Sequence, residues 1–139
     1  MPHDPEFVAE TRAWLGRAEK DLRAADVLRR AQPPLLDDAL YHCQQSVEKA
    51  LKGFLAWHGR TFRKTHNLSE LGQGALEAAP DLADIVHRAA SLTAYAWRFR
   101  YPGEPEPASP GEVEVALAQA REVLDAILAR LPDEVRRGL

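Results

Sequence analysis

His42, Gln45, Lys49 and Lys52 recur at spacings of three and four residues. On a helix that spacing gathers them on one side. An imidazole, an amide and two ammonium groups are good partners for a phosphate oxygen or a base edge. The same residues read equally as the wet face of a surface helix. A basic stretch follows, with Arg60, Arg63, Lys64 and His66 within seven residues and Phe62 among them. It runs into the start of a short helix, where free amides and a partial positive charge favour an anion. Phe62 can stack on a base between cations, as in single-strand binders, or tuck into the core as an apolar anchor. His66 can equally do no more than bond the backbone of the turn it precedes. A third group closes a later helix, Trp97-Arg-Phe-Arg-Tyr-Pro102. Arg98 and Arg100 can hold a phosphate bidentately, although arginine suits a helix C-terminus whatever its function.

Other chemistries find little support. His3, His58 and His87 have no partners at metal-ligand spacing, so no metal site and no cofactor are expected. Cys43 is the only cysteine and falls on an apolar stripe, where it reads as a small core residue. There is no GxSxG, P-loop, HExxH or glycine-rich dinucleotide fingerprint. The net charge of -3 argues against a polyanion binder as a whole molecule. A local basic patch over 41–66, where Glu48 is the one acid, can still take phosphate.

Helices must position these groups. Trp14, Leu15, Ala18, Leu22, Ala25 and Leu28 predict a first helix from about Phe7 to Arg30, ended by Pro33–Pro34. Leu40, Cys43, Val47, Ala50, Leu51, Phe54 and Leu55 predict a second from about Asp38 to His58. Asp37 is its expected N-cap and Gly59 its stop. Asn67 with Glu70 three residues on has capping-box spacing for a short helix. Pro80–Asp81 restarts the chain, and Leu82, Ile85, Val86, Ala89, Leu92 and Ala96 predict another amphipathic helix ending near Arg98. The proline-rich segment 101–110 is expected to be an exposed extended loop. Ser109, Pro110 and Glu112 announce the last helix, which buries Val113 through Leu131. The charged tail 132–139 is expected to fray.

The expected architecture is therefore all-α: an antiparallel, up-and-down bundle of four long helices and one short one. At 139 residues, one domain over 1–139 with a core of about 7–131 is expected. No apolar run reaches the roughly 18 residues a spanning helix needs. The opening MPHDPEFVAE lacks the apolar stretch of a signal peptide. A cytoplasmic protein without membrane contact is expected.

Four strings in this order resemble the HEPN family (higher eukaryotes and prokaryotes nucleotide-binding). They are Trp14-Leu-x-x-Ala-x-x-Asp-Leu22, Tyr41-His-Cys-Gln-Gln-Ser-Val-Glu-Lys-Ala-Leu-Lys-Gly-Phe-Leu55, Lys64-Thr-His-Asn-Leu68 and Arg100-Tyr-Pro102. The resemblance implies an antiparallel bundle of four or five helices, commonly a homodimer. It also implies work beside a separate small nucleotidyltransferase, often as a toxin–antitoxin-like pair. Other members are metal-independent ribonucleases with an Arg-x4-6-His motif near the final helices. Here no histidine follows Arg98 or Arg100, and the one pair at that spacing is Arg60 and His66, after the second helix. The leading expectation is a nucleotide- or RNA-binding domain. His42, Gln45, Lys49, Lys52, Arg60, Arg63, Lys64 and His66 would hold ligand, with Arg98 and Arg100 in support. Two alternatives stand beside it: an endoribonuclease using Arg60 and His66, and a pure protein–protein module whose basic second helix meets acidic residues of a partner.

Overall fold

In the computed structural model, residues 3–98, 102 and 107–139 are described, and they form helices with no strand among them. Helix α1 spans Pro5–Arg30, α2 Leu36–Trp57, α3 Leu68–Ala78, α4 Ala83–Ala89, α5 Pro110–Leu128 and α6 Asp133–Arg136. The all-α helical bundle is as the sequence predicts. Arg100 and half of the proline-rich segment, residues 101 and 103–106, lie outside the described residues.

Local chemistry explains most of the boundaries. Asp4 caps α1 by accepting from the Glu6 amide at 2.8 Å, with Pro5 at the first helical position. Asn67 caps α3 by accepting from the Ser69 and Glu70 amides. Ser109 and Glu112 form a full capping box on α5. Gly59 ends the second helix with φ +65°, a left-handed turn that side chains rarely adopt.

Three expectations are corrected. Asp37 is not the N-cap of α2: the helix begins at Leu36 behind an uncapped Leu35. Asp37 stands in the first turn, where the helix dipole favours it, and accepts from the Ala108 amide at 3.3 Å. The helix expected over 82–98 is broken into α4 and a 3₁₀ segment, Ala90–Ala96. Ser91 and Thr93 are weak helix formers whose hydroxyls take backbone partners. Ser91 Oγ donates to the Arg88 carbonyl, and Thr93 Oγ1 accepts from the Leu68 amide at 3.0 Å. Finally, the tail does not fray. Val135 is fully buried, and Arg12 Nη1 donates to the carbonyls of Val135 (3.0 Å) and Arg137 (2.6 Å).

The core is contiguous, with Leu15, Leu40, Leu51, Phe54, Leu124 and Ile127 among its fully buried side chains. Its centre is α2, which touches α1, α3, α5 and the 3₁₀ segment. Fifteen of its 22 residues are buried. At Gly53 a Cβ would lie 3.0 Å from Trp14 Cβ, so glycine lets α1 and α2 approach closely there. Ser46 Oγ, inside this seam, donates to the Ala18 carbonyl at 2.9 Å. No described helix is long and apolar enough to cross a membrane.

Candidate functional site

The polar side of α2 is covered. The sequence reading turns His42, Gln45, Lys49 and Lys52 toward an open groove. In the structure Gln44, Gln45, Glu48 and Lys52 are buried, while His42 and Lys49 are half-buried. Two coverings account for this. Helix α1 lies along one edge, and the 60–66 loop folds back over the other. Phe62 sits edge-on to Trp14, with centroids 6.0 Å apart, and packs on the core. The Lys52 ammonium is 5.6 Å from the Trp14 centroid and 5.9 Å from that of Phe62, within cation–π range. Phe62 is therefore an anchor, one of the two roles its sequence position allows.

Two carboxylates organise the charges beneath. Asp21 of α1 takes the His42 Nδ1 at 2.8 Å and the Lys49 ammonium at 2.7 Å. Glu48 of α2 takes His66 Nδ1 at 2.7 Å, Lys52 Nζ at 3.0 Å and Gln44 Nε2 at 3.2 Å. Gln44 also donates to the His66 carbonyl at 3.1 Å, fixing the loop, and Gln45 donates to Gln44 Oε1 at 2.6 Å. Burial by itself would raise the Glu48 carboxyl. The bonds from His66, Lys52 and Gln44, with the Lys52 charge, outweigh it and hold the group below its ordinary value of 4.5. Glu48 is thus an ionised acceptor near neutral pH, so His66 Nδ1 must carry the proton of that bond.

Each imidazole is tethered by Nδ1, which leaves Nε2 as its outward atom. The His66 side chain is 56 % exposed and that of His42 32 %, against 5 % for Glu48. A carboxylate that orients an imidazole in this way fixes both its tautomer and its direction.

The remaining candidates are placed as follows. Gln45 and Lys52 are internal and are corrected from ligand contacts to parts of the buried network. Arg60 is tied to Glu77 at 2.5 Å, and Arg63 to Glu70 at 2.7–2.8 Å. Arg98 Nη1 donates to Glu112 at 2.6 Å and stacks on Tyr95. Lys64 is exposed and forms no ion pair among the described residues. Arg60 and His66, the pair at ribonuclease spacing, are held by carboxylates on different helices, α3 and α2. Burial pushes the Cys43 thiol up to about 12, with the Asp21 charge adding to the effect, as suits a core position. No group of three or more His, Cys, Asp and Glu among the described residues is arranged to hold a metal ion.

Sequence reasoning missed the acids. Asp21 and Glu48 organise the site, and Glu70 and Glu77 pair with the loop arginines. The available signal was the Glu48–Lys52 spacing of four, which joins opposite charges on one helix.

An all-α bundle whose central helix carries a covered network of carboxylates, amides, ammoniums and imidazoles defines the class of this molecule. The family model of the HEPN domain matches residues 11–131, and the chain belongs to the HEPN domain family, whose members are nucleotide- and RNA-related. Among curated proteins nothing matches the chain, and among solved structures nothing does.

Proposed function

We propose that this HEPN domain binds the phosphate of a nucleotide or of unpaired RNA along the exposed edge of α2 and the 60–66 loop, without cutting it. His42, Lys49 and His66 meet the ligand, and the exposed Lys64 of the same loop adds a cation. The observation that carries the reading is the pair of imidazoles, each tethered through Nδ1 to a carboxylate that also holds an ammonium. Such side chains need no reordering to present Nε2, which donates to an anion when the ring carries both protons. Because Asp21 and Glu48 offset much of the positive charge, binding is modest and falls with salt.

As part of the same reading, two copies associate and act beside a separate nucleotidyltransferase in a toxin–antitoxin-like pair. Family membership supports this, as do the exposed Trp97 and Val115, apolar surface that a second chain would cover.

Calorimetric titration of the whole chain with AMP and with a short unstructured RNA at low salt tests the phosphate site. Binding that weakens in His42→Ala and His66→Ala supports it. Absence of binding, or affinity indifferent to both changes, overturns it. Size measurement in solution, alone and with a candidate nucleotidyltransferase, tests the assembly.

A further inference from the structure

The 60–66 loop has a second side. Away from α2 it faces α3 across a groove of about 620 Å³, floored by Leu55, Phe62 and Leu71. Glu70 and Glu77 lie seven residues apart on α3, so two helical turns set them about 10 Å apart along one wall. The loop supplies the opposite charges: Arg63 pairs with Glu70 and Arg60 with Glu77.

The Arg63 pairing has a particular form. Nε lies 2.8 Å from both Glu70 oxygens, and Nη2 lies 2.7 Å from Oε1. The carboxylate thus grips the guanidinium by its edge, which arrests rotation and leaves the flat faces for stacking. Both walls are charge-balanced, so the groove selects neither for an anion nor for a cation. What it offers is an apolar floor, a planar cation and polar residues in the lining, Thr61 and Glu77 among them. A flat ring with apolar faces and a hydrogen-bonding rim matches that combination, and a nucleobase is such a ring.

We propose that this groove is a nucleobase pocket in which the base stacks on the Arg63 guanidinium held planar by Glu70. The inference rests on the nucleotide reading above and extends it: phosphate is met on the α2 side of the loop and base on the α3 side. The base can belong to a free nucleotide or to unpaired RNA, and the chemistry of recognition is shared.

The test titrates the whole chain with adenosine, ribose 5-phosphate, AMP and a short oligoadenylate, in wild type, Arg63→Lys and Arg63→Met. Arg63 is exposed, so both variants fold. Adenosine is expected to bind, and both variants to weaken adenosine and AMP about tenfold while ribose 5-phosphate is unchanged. Lysine keeps the charge and loses the plane, so wild-type adenosine affinity in Arg63→Lys overturns the stacking role. Failure of adenosine to bind wild type overturns the pocket. Tighter binding of oligoadenylate than of AMP names RNA as the source of the base; the reverse names the free nucleotide. The adenosine arm involves no phosphate, so loss of ribose 5-phosphate binding counts against the phosphate site alone.

Discussion

Glu48 Oε1 stands 2.7 Å from His66 Nδ1, joining the most buried acid of α2 to the most exposed histidine of the polar cluster. The bond crosses eighteen residues of sequence and pins the 60–66 loop to the central helix. It also gives one carboxylate two duties: neutralising Lys52 inside and orienting an imidazole outside.

The Lys52–Glu48 pair is nearly dry, with side-chain exposures of 10 % and 5 %. Removing one partner strands the other. Lys52→Met is expected to cost about 3 kcal/mol of unfolding free energy. In a double-mutant cycle with Glu48→Gln, the combined loss should fall short of the summed single losses by about 2 kcal/mol. Urea denaturation of the four proteins measures this, and additive losses would mean the two charges do not interact.

The depressed Glu48 carboxyl sets a pH dependence. Its pKa is lower folded than unfolded, so its contribution is fully present above the ordinary value of 4.5 and is lost as pH falls through the folded value. Wild-type stability should therefore drop across that acid window, and Glu48→Gln should show a flatter profile there. Chemical denaturation repeated from neutral to acid pH provides the comparison.

Cys43 is fully buried with its thiol pushed up to about 12. A thiolate-directed reagent at mildly alkaline pH should leave the native protein unlabelled, and labelling should track the denaturant unfolding curve. Rapid modification under native conditions would contradict the core placement.

Among the described residues Lys64, unlike Arg60 and Arg63, forms no ion pair with a carboxylate. Lys64→Ala should leave the melting temperature unchanged, weaken RNA binding uniformly across sequences and lower the salt slope by about 1. Affinity measured at several salt concentrations decides it.

Arg60 and His66 are each bonded to a carboxylate, Glu77 of α3 and Glu48 of α2. Incubation of RNA with the purified chain in EDTA should release no cyclic-phosphate products. Cleavage that disappears in both Arg60→Ala and His66→Ala would establish the ribonuclease reading instead.

Much of the fold was legible because local chemistry wrote it. Asn67, Ser109 with Glu112, and Gly59 each mark a boundary through a bond or dihedral angle confined to a few residues. The stretch from Leu82 to Ala96 misled because apolar spacings of three fit a 3₁₀ turn as well as an α-helix. The site was legible by residue and not by environment. Periodicity assigns Gln45 and Lys52 to the side opposite the apolar stripe, but it carries no information on whether a loop folds over that side. Coverage depends on Phe62 reaching Trp14, a contact between residues 48 positions apart.

Phe62 touches both flanks of its loop, lying over Lys52 on one and flooring the groove on the other. Held at its middle by Phe62 and at its end by Glu48 and Gln44, that segment is one wall shared by both sites. When both flanks take ligand, any shift that eases one seat alters the other, and linkage requires the factor to be equal in both directions. The affinity change read for the base when phosphate is saturating is then also the change in phosphate affinity when base is saturating.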